Sequence, residues 1–297
     1  MKVVNREERT FAPNYLSFDQ LDADIIILSI GGKDIVLDPG EKMCPFQMVN
    51  WRHAGAGGVR QTSDGHFMAV SPLQPYTANS IQRRGEITLD SHGTITAGTF
   101  SILMAGQPAL YWRQTALRND DGEVKKQFDR WLGPITPKGV EAHVDYFSSL
   151  DDPDANLMAV VKVKGTLGTS TPRRLFLPEF FFEARGQHPF VDQIQRRKPV
   201  DMHYAEQIAD QVVYHLPPGM AVEGAPQDTN ASWPEHAVLV AKAATAPGQV
   251  KITRQLSRAF TLAKPEEYFE LRDFYQKIAD ADQQQLVLTM PPVGQGN

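Results

Sequence analysis

One thiol, Cys44, and eight histidines, at positions 53, 66, 92, 143, 188, 203, 215 and 236, carry most of the reactive chemistry of this 297-residue chain. Nucleophilic catalysis needs a nucleophile, a base beside it and a group that orients the base. Cys44 stands between Met43 and Pro45 in an aromatic stretch. Nothing there marks a helix N-terminus or a basic neighbour that would lower a thiol pKa, so it reads as a buried structural cysteine. No Gly-x-Ser-x-Gly elbow occurs. The histidines include no His-x-x-x-His pair and no His-Glu-x-x-His motif. His203 and His215 fall in strand-like runs, where sequence alone does not bring them together. Asp151, Asp152 and Asp154 fit a turn, and the Gly and Glu of a calcium loop are missing. The expectation is therefore no metal, no cofactor and no complete catalytic constellation.

Thirty basic and thirty-five acidic residues give a net charge of −5, which argues against nucleic acid as a partner. A single cysteine excludes an intrachain disulfide. No run approaches the ~18 apolar residues of a membrane helix. The first residues have no apolar h-region of the signal-peptide kind.

The elements that must position any site are mostly strands. Two branched apolar runs, 25–30 and 35–37, flank Gly31-Gly32 and stop at Asp38-Pro39-Gly40. That pattern predicts a β-hairpin with glycines in the tight turn. Residues 41–53 are aromatic and proline-bearing and read as a packed loop, and Gly55, Gly57 and Gly58 as a flexible interdomain turn. A second hairpin is expected at 81–90 and 94–104 around Ser91-His92-Gly93. Pro108 and the Leu110/Leu117 spacing predict a helix over 107–117. Val124, Phe128 and Trp131 predict another over 122–132, both covering a sheet face. Strands are expected at 140–146, 156–165, 174–182, 202–216, 237–241 and 250–260, a spacing that suggests a β-sandwich. Tyr268, Leu271, Tyr275 and Ile278 make the apolar stripe of a helix over 265–280, and 286–288 add a last edge strand.

The series Val3-Val4-Asn5-Arg6, Phe11-Ala12-Pro13, Gln20-Leu21, residues 25–30, Gly32-Lys33-Asp34 and Leu37-Asp38-Pro39-Gly40 resembles the second half of a bacterial transglutaminase-like core. Cys44-Pro45-Phe46, Trp51-Arg52-His53, Trp112-Arg113-Gln114 and the run from Pro265 to Tyr275 are similar to the downstream part of the same proteins. In these large envelope proteins the core lies between β-rich domains, the N-terminal one known as domain of unknown function 3857. The resemblance implies a papain-type triad of cysteine, histidine and aspartate. Of its members only the aspartate carries over, onto Asp38. The histidine position falls near Ala23 or Asp24, and the cysteine position falls upstream of Met1, so Asp38 is not expected to be active alone. Cys44 follows the aspartate and does not match.

The expected fold is mainly β with a few helices. A remnant transglutaminase-like β-hairpin precedes a β-rich or β-sandwich region with covering helices and a C-terminal helix. The division is 1–60 for the core remnant, 61–195 for a β-rich part with two helices, and 196–297 for a sandwich portion, with 61–297 readable as one domain. The expected function is a non-catalytic structural or binding module of an envelope protein. The alternatives are a cysteine hydrolase or acyltransferase completed by an upstream segment, and a carbohydrate-binding sandwich. A chain cut before the catalytic cysteine would leave the hairpin from Asp24 to Gly40 exposed, favouring self-association or another chain there. By resemblance the location is periplasmic or secreted.

Overall fold

The computed structural model describes residues 1–15, 17–183 and 189–290, and the chain is mainly β. Strands β1 (Lys2–Val3), β2 (Ala23–Asp24), β5 (Gly57–Thr62) and β6 (Gly65–Val70) form a small antiparallel sheet in the order β2-β1-β5-β6. Strands β3 (Ile26–Ile30) and β4 (Lys33–Leu37) make the expected hairpin. Gly31 and Gly32 turn it with φ of 58° and 77°, the left-handed pair that glycine adopts without strain. Gly57 and Gly58 belong to a strand rather than a flexible turn. Gly58 lies so close to β1 that a Cβ would overlap the Lys2 carbonyl. A small core of Val3, Val4, Ile25, Val49, Ala54 and Ala56 holds this unit.

The second hairpin is β7 (Ser80–Leu89) and β8 (Thr94–Ala105), its turn fastened by Asp90 accepting from the His92 and Thr94 amides at 2.8 Å each. Helix α1 spans Gln107–Ala116 and helix α2 spans Asp121–Leu132, the latter capped by the Asp120 carboxylate. Then follow β9 (Val140–Ser148), β10 (Leu157–Thr166), β11 (Thr169–Ser170), β12 (Arg174–Pro178), β13 (Val200–Asp201), β14 (Glu206–His215), β15 (Ala221–Gly224), β16 (Thr229–Trp233), β17 (Ala237–Ala246), β18 (Gln249–Arg258), β19 (Leu262–Ala263), α3 (Tyr268–Asp282) and β20 (Gln285–Thr289).

Eight strands join in one mixed sheet, β16-β17-β18-β14-β7-β8-β10-β9, in which β14 runs parallel to β7. One face is apolar and covered, and alternate residues such as Arg84, Glu86, Lys162 and Lys242 meet water on the other. Helices α1 and α2 and the smaller sheet β11-β12-β20-β15 share one core cluster on the covered face, and α3 packs a second one. Strand β20 lies between β12 and β15, so it is interior to its sheet and not an edge strand. The aromatic run expected to extend β12 to 182 leaves the strand after Pro178, and Phe180, Phe181 and Phe182 fill the core instead.

Directly across from Gly85 on β7 is Phe100 on β8, fully buried, its ring lying where a Gly85 side chain would be and packed against Phe181 at 4.6 Å. Gly85→Ala should therefore overpack this spot and cost about 1–3 kcal/mol. Urea unfolding would show this as a lower midpoint at unchanged slope; an unshifted midpoint would contradict the packing.

Candidate functional site

Strand β4 ends at Leu37, and Asp38 turns into the interior with a side chain only 1% exposed. Its Oδ2 accepts the Asn50 amide at 3.1 Å and lies 2.8 Å from His53 Nδ1. Its Oδ1 has no hydrogen-bond partner among the described residues. A buried carboxylate against Nδ1 fixes the imidazole's orientation and presents Nε2 as its free nitrogen, the geometry of a base and its orienter. His53 Nε2 makes no hydrogen bond among the described residues.

The loop that carries His53 is held at many points. Asn50 donates to Glu41 at 3.1 Å, and the Asn50 carbonyl accepts from the His53 and Ala54 amides at 2.9 Å each. From α1, Gln107 accepts the Trp51 amide at 3.1 Å and donates to the Val49 carbonyl at 2.7 Å, while Gln114 donates to Glu41 at 2.8 Å. On the far side of the loop, the Trp51 ring stacks on His203 at 4.0 Å, and the Arg6 and Arg52 guanidinium groups lie over it at 5.7 and 4.9 Å. Arg6 also reaches Asp201 at 3.2 Å, tying the small sheet to β13.

The transglutaminase resemblance expects the histidine near Ala23 or Asp24, but those residues form β2 and pair with β1. The imidazole at Asp38 comes instead from His53, fifteen residues downstream in an irregular loop. Irregular backbone has no period to signal the meeting; the one local clue was a histidine following an aspartate within a proline-bearing, aromatic stretch. His203 and His215 are not brought together: His203 stacks on Trp51, and His215 faces Glu86 at 3.3 Å. Among the described residues no group of three or more His, Cys, Asp or Glu side chains is arranged to hold a metal ion.

Cys44 lies in the same loop, its thiol donating to the Met48 carbonyl at 3.4 Å. Burial, with Asp38 and Glu41 adding negative charge nearby, pushes its pKa up to about 12. The carboxylate that orients His53 thus works against a thiolate at Cys44, and no hydrogen bond among the described residues joins the two side chains.

Residues 173–288 match the DUF3858 family, described as a domain of unknown function with solved-structure structure. That stretch holds β12 through α3 and most of β20. No curated protein matches the chain. Among solved structures it is similar to a "putative protease" from Parabacteroides distasonis ATCC 8503, with a TM-score of 0.43 and 10% identity over 93% of this chain. The chain spans 38% of that protein's length.

A thiol held this far from ionisation should resist alkylation. Iodoacetamide labelling of Cys44 near pH 8, followed by mass spectrometry, is expected to run on the order of 100-fold slower in the native chain than in the urea-unfolded one. Equal rates would mean that Cys44 is an accessible, ionisable thiol.

Proposed function

We propose that this chain is a non-catalytic structural or binding module of a transglutaminase-like envelope protein, and that it associates through its first hairpin. The observation that carries the proposal is the hairpin's outer face. Cross-strand partners Ile26 and Leu37, Leu28 and Ile35, and Ile30 with Lys33 point to one side. Ile26, Leu28 and Ile30 are 43%, 42% and 62% exposed. The opposite side, with Val36, packs on the small core. A two-stranded ribbon with an uncovered apolar face is marginal by itself and is completed by burying that face. The surface is uncharged along β3 and can pack against a copy of itself, so the expected occupant is a second copy of the chain. The protonated thiol of Cys44 supports the non-catalytic part of the proposal.

A second reading has its own support in the Asp38–His53 pair, an oriented base that lacks an ionisable nucleophile beside it. There the chain supplies base and orienter to a cysteine hydrolase or acyltransferase whose thiol comes from elsewhere. A thiol-directed activity probe that labels a form extended upstream of Met1, and not this chain, would favour it. Labelling of neither form would count against it.

Sedimentation equilibrium tests the first reading. The wild-type chain should self-associate as concentration rises, and Leu28→Asp with Ile30→Asp should remain monomeric with an unchanged far-ultraviolet spectrum. A wild-type chain that stays monomeric at high micromolar concentration would overturn the proposed association.

A further inference from the structure

The carboxyl group of Glu179 is fully buried, and neither of its oxygens has a hydrogen-bond partner among the described residues. It sits where β12 has just ended, and its backbone amide donates at 3.0 Å to the carbonyl of Gln284, in the turn between α3 and β20. Main chain at this point is therefore bonded to the C-terminal end of α3, while the side chain is left without a donor. A buried carboxylate without a donor is costly, whereas a neutral carboxylic acid is far less so.

The surroundings explain which form persists. From α3 comes Asp282, which takes the Arg254 guanidinium of β18 at 3.0 and 3.3 Å. Asp228, just before β16, adds a second negative charge. Arg254 is the positive group facing Glu179, and it is shared with Asp282, Asp210 of β14 and Glu183. Arg83 of β7 is in turn held by Asp210 at 2.5 and 2.9 Å and by Glu183 at 3.0 Å. The arginines already have carboxylate partners, so a further charge on Glu179 would meet repulsion from Asp282 and have to share a guanidinium that Asp282 already holds. The Phe180 ring against Arg254 at 5.5 Å and the Phe182 ring against Arg83 at 4.5 Å close the space above.

We propose that Glu179 is a proton-held joint, whose neutral carboxyl keeps the C-terminal turn of α3 seated on Arg254 and whose ionisation loosens that turn. No new bond is made; a proton leaves to solvent, and Glu179 then competes with Asp282 for one guanidinium. Burial first, then Asp282, raises the Glu179 pKa to about 8. The sign follows from linkage. An unfolded glutamate ionises near its ordinary value of 4.5, so the native state alone keeps the proton between there and about 8. Stability from this group falls as pH rises across that window and levels off above it. The native joint itself should open with a midpoint near 8.

Hydrogen exchange read by mass spectrometry between pH 6 and 9, corrected for the intrinsic rate, tests this on the whole chain. The amides of 278–284 should lose protection around pH 8 by about tenfold or more, while those of β7 and β8 do not. Glu179→Gln, neutral at every pH and of the same shape, should keep protection flat. Protection that is independent of pH in the wild type, or an unchanged step in the Gln variant, would overturn the proposal. Should the variant fail to fold, carbon NMR of glutamate labelled at the carboxyl decides the matter in the wild type. A resonance titrating near 8 supports the joint, and none titrating above the ordinary carboxylate range refutes it.

Discussion

Asp210 sits on β14, between Arg83 of β7 and Arg254 of β18, and it is the register partner of both. All three side chains are buried, and the Arg83 pair is bidentate. Much of the structure is arranged to satisfy this row. Burying two guanidinium groups is tolerable only if every one is matched by carboxylate, and leaving either unmatched costs about 3–5 kcal/mol. The match draws on Glu183 after β12 and Asp282 at the end of α3, so elements remote in sequence must converge on the middle of the sheet. A further pair, Arg258 with Glu206 at 2.8 Å, extends the same band. A one-residue slip of β14 would carry Asp210 to the wet face and strand both arginines, so the row fixes the register of the parallel junction as well.

The small sheet depends on the large one through helix α1. Gln107 enters the helix with its amide bonded to Asn79 and its side chain spent on Trp51 and Val49, and Gln114, two turns along the same face, holds Glu41. Arg113, between them, gathers the carbonyls of Ser149, Pro153 and Ala155 at 2.6–3.1 Å and shapes the acidic turn. The Phe46 amide then donates to Asp154 in that turn at 3.2 Å. The loop that places His53 on Asp38 is therefore positioned from outside, by a helix whose own seat is the eight-stranded sheet.

What could be read beforehand followed this division. The Gly31-Gly32 hairpin, the hairpin around Gly93 and all three helices stand in local pattern, because turn chemistry and a 3.6-residue stripe are properties of contiguous residues. The parallel pairing of β7 with β14 is not local, since partners such as Arg83 and Asp210 lie 127 positions apart in the chain, and neither strand carries a mark of its partner. Strand β20 looked like an edge because it comes last, yet sheet order follows burial and not chain order. Phe180, Phe181 and Phe182 looked like strand because aromatic residues favour pleated surfaces; here the core needed their volume over Phe100 and Arg83 more than it needed another ladder. The Asp38–His53 contact belongs with these, because it is made by the α1 clamp together with the turn at Asn50, both outside any repeating pattern.

The same loop decides how its chemistry is to be weighed. An Asp–His pair activates a thiol when the imidazole's free nitrogen reaches the sulfur, so that the imidazolium shields the thiolate from the carboxylate. In this loop the sulfur is spent on the Met48 carbonyl, and the charges bearing on it, from Asp38 and Glu41, are both negative. Moving Cys44 within reach of His53 would break the turn in which its amide donates to Glu41 at 3.2 Å, and with it the Glu41 contacts to Asn50 and Gln114 that keep Asn50 on Asp38. The interactions that assemble the pair are thus the ones that hold the thiol away from it.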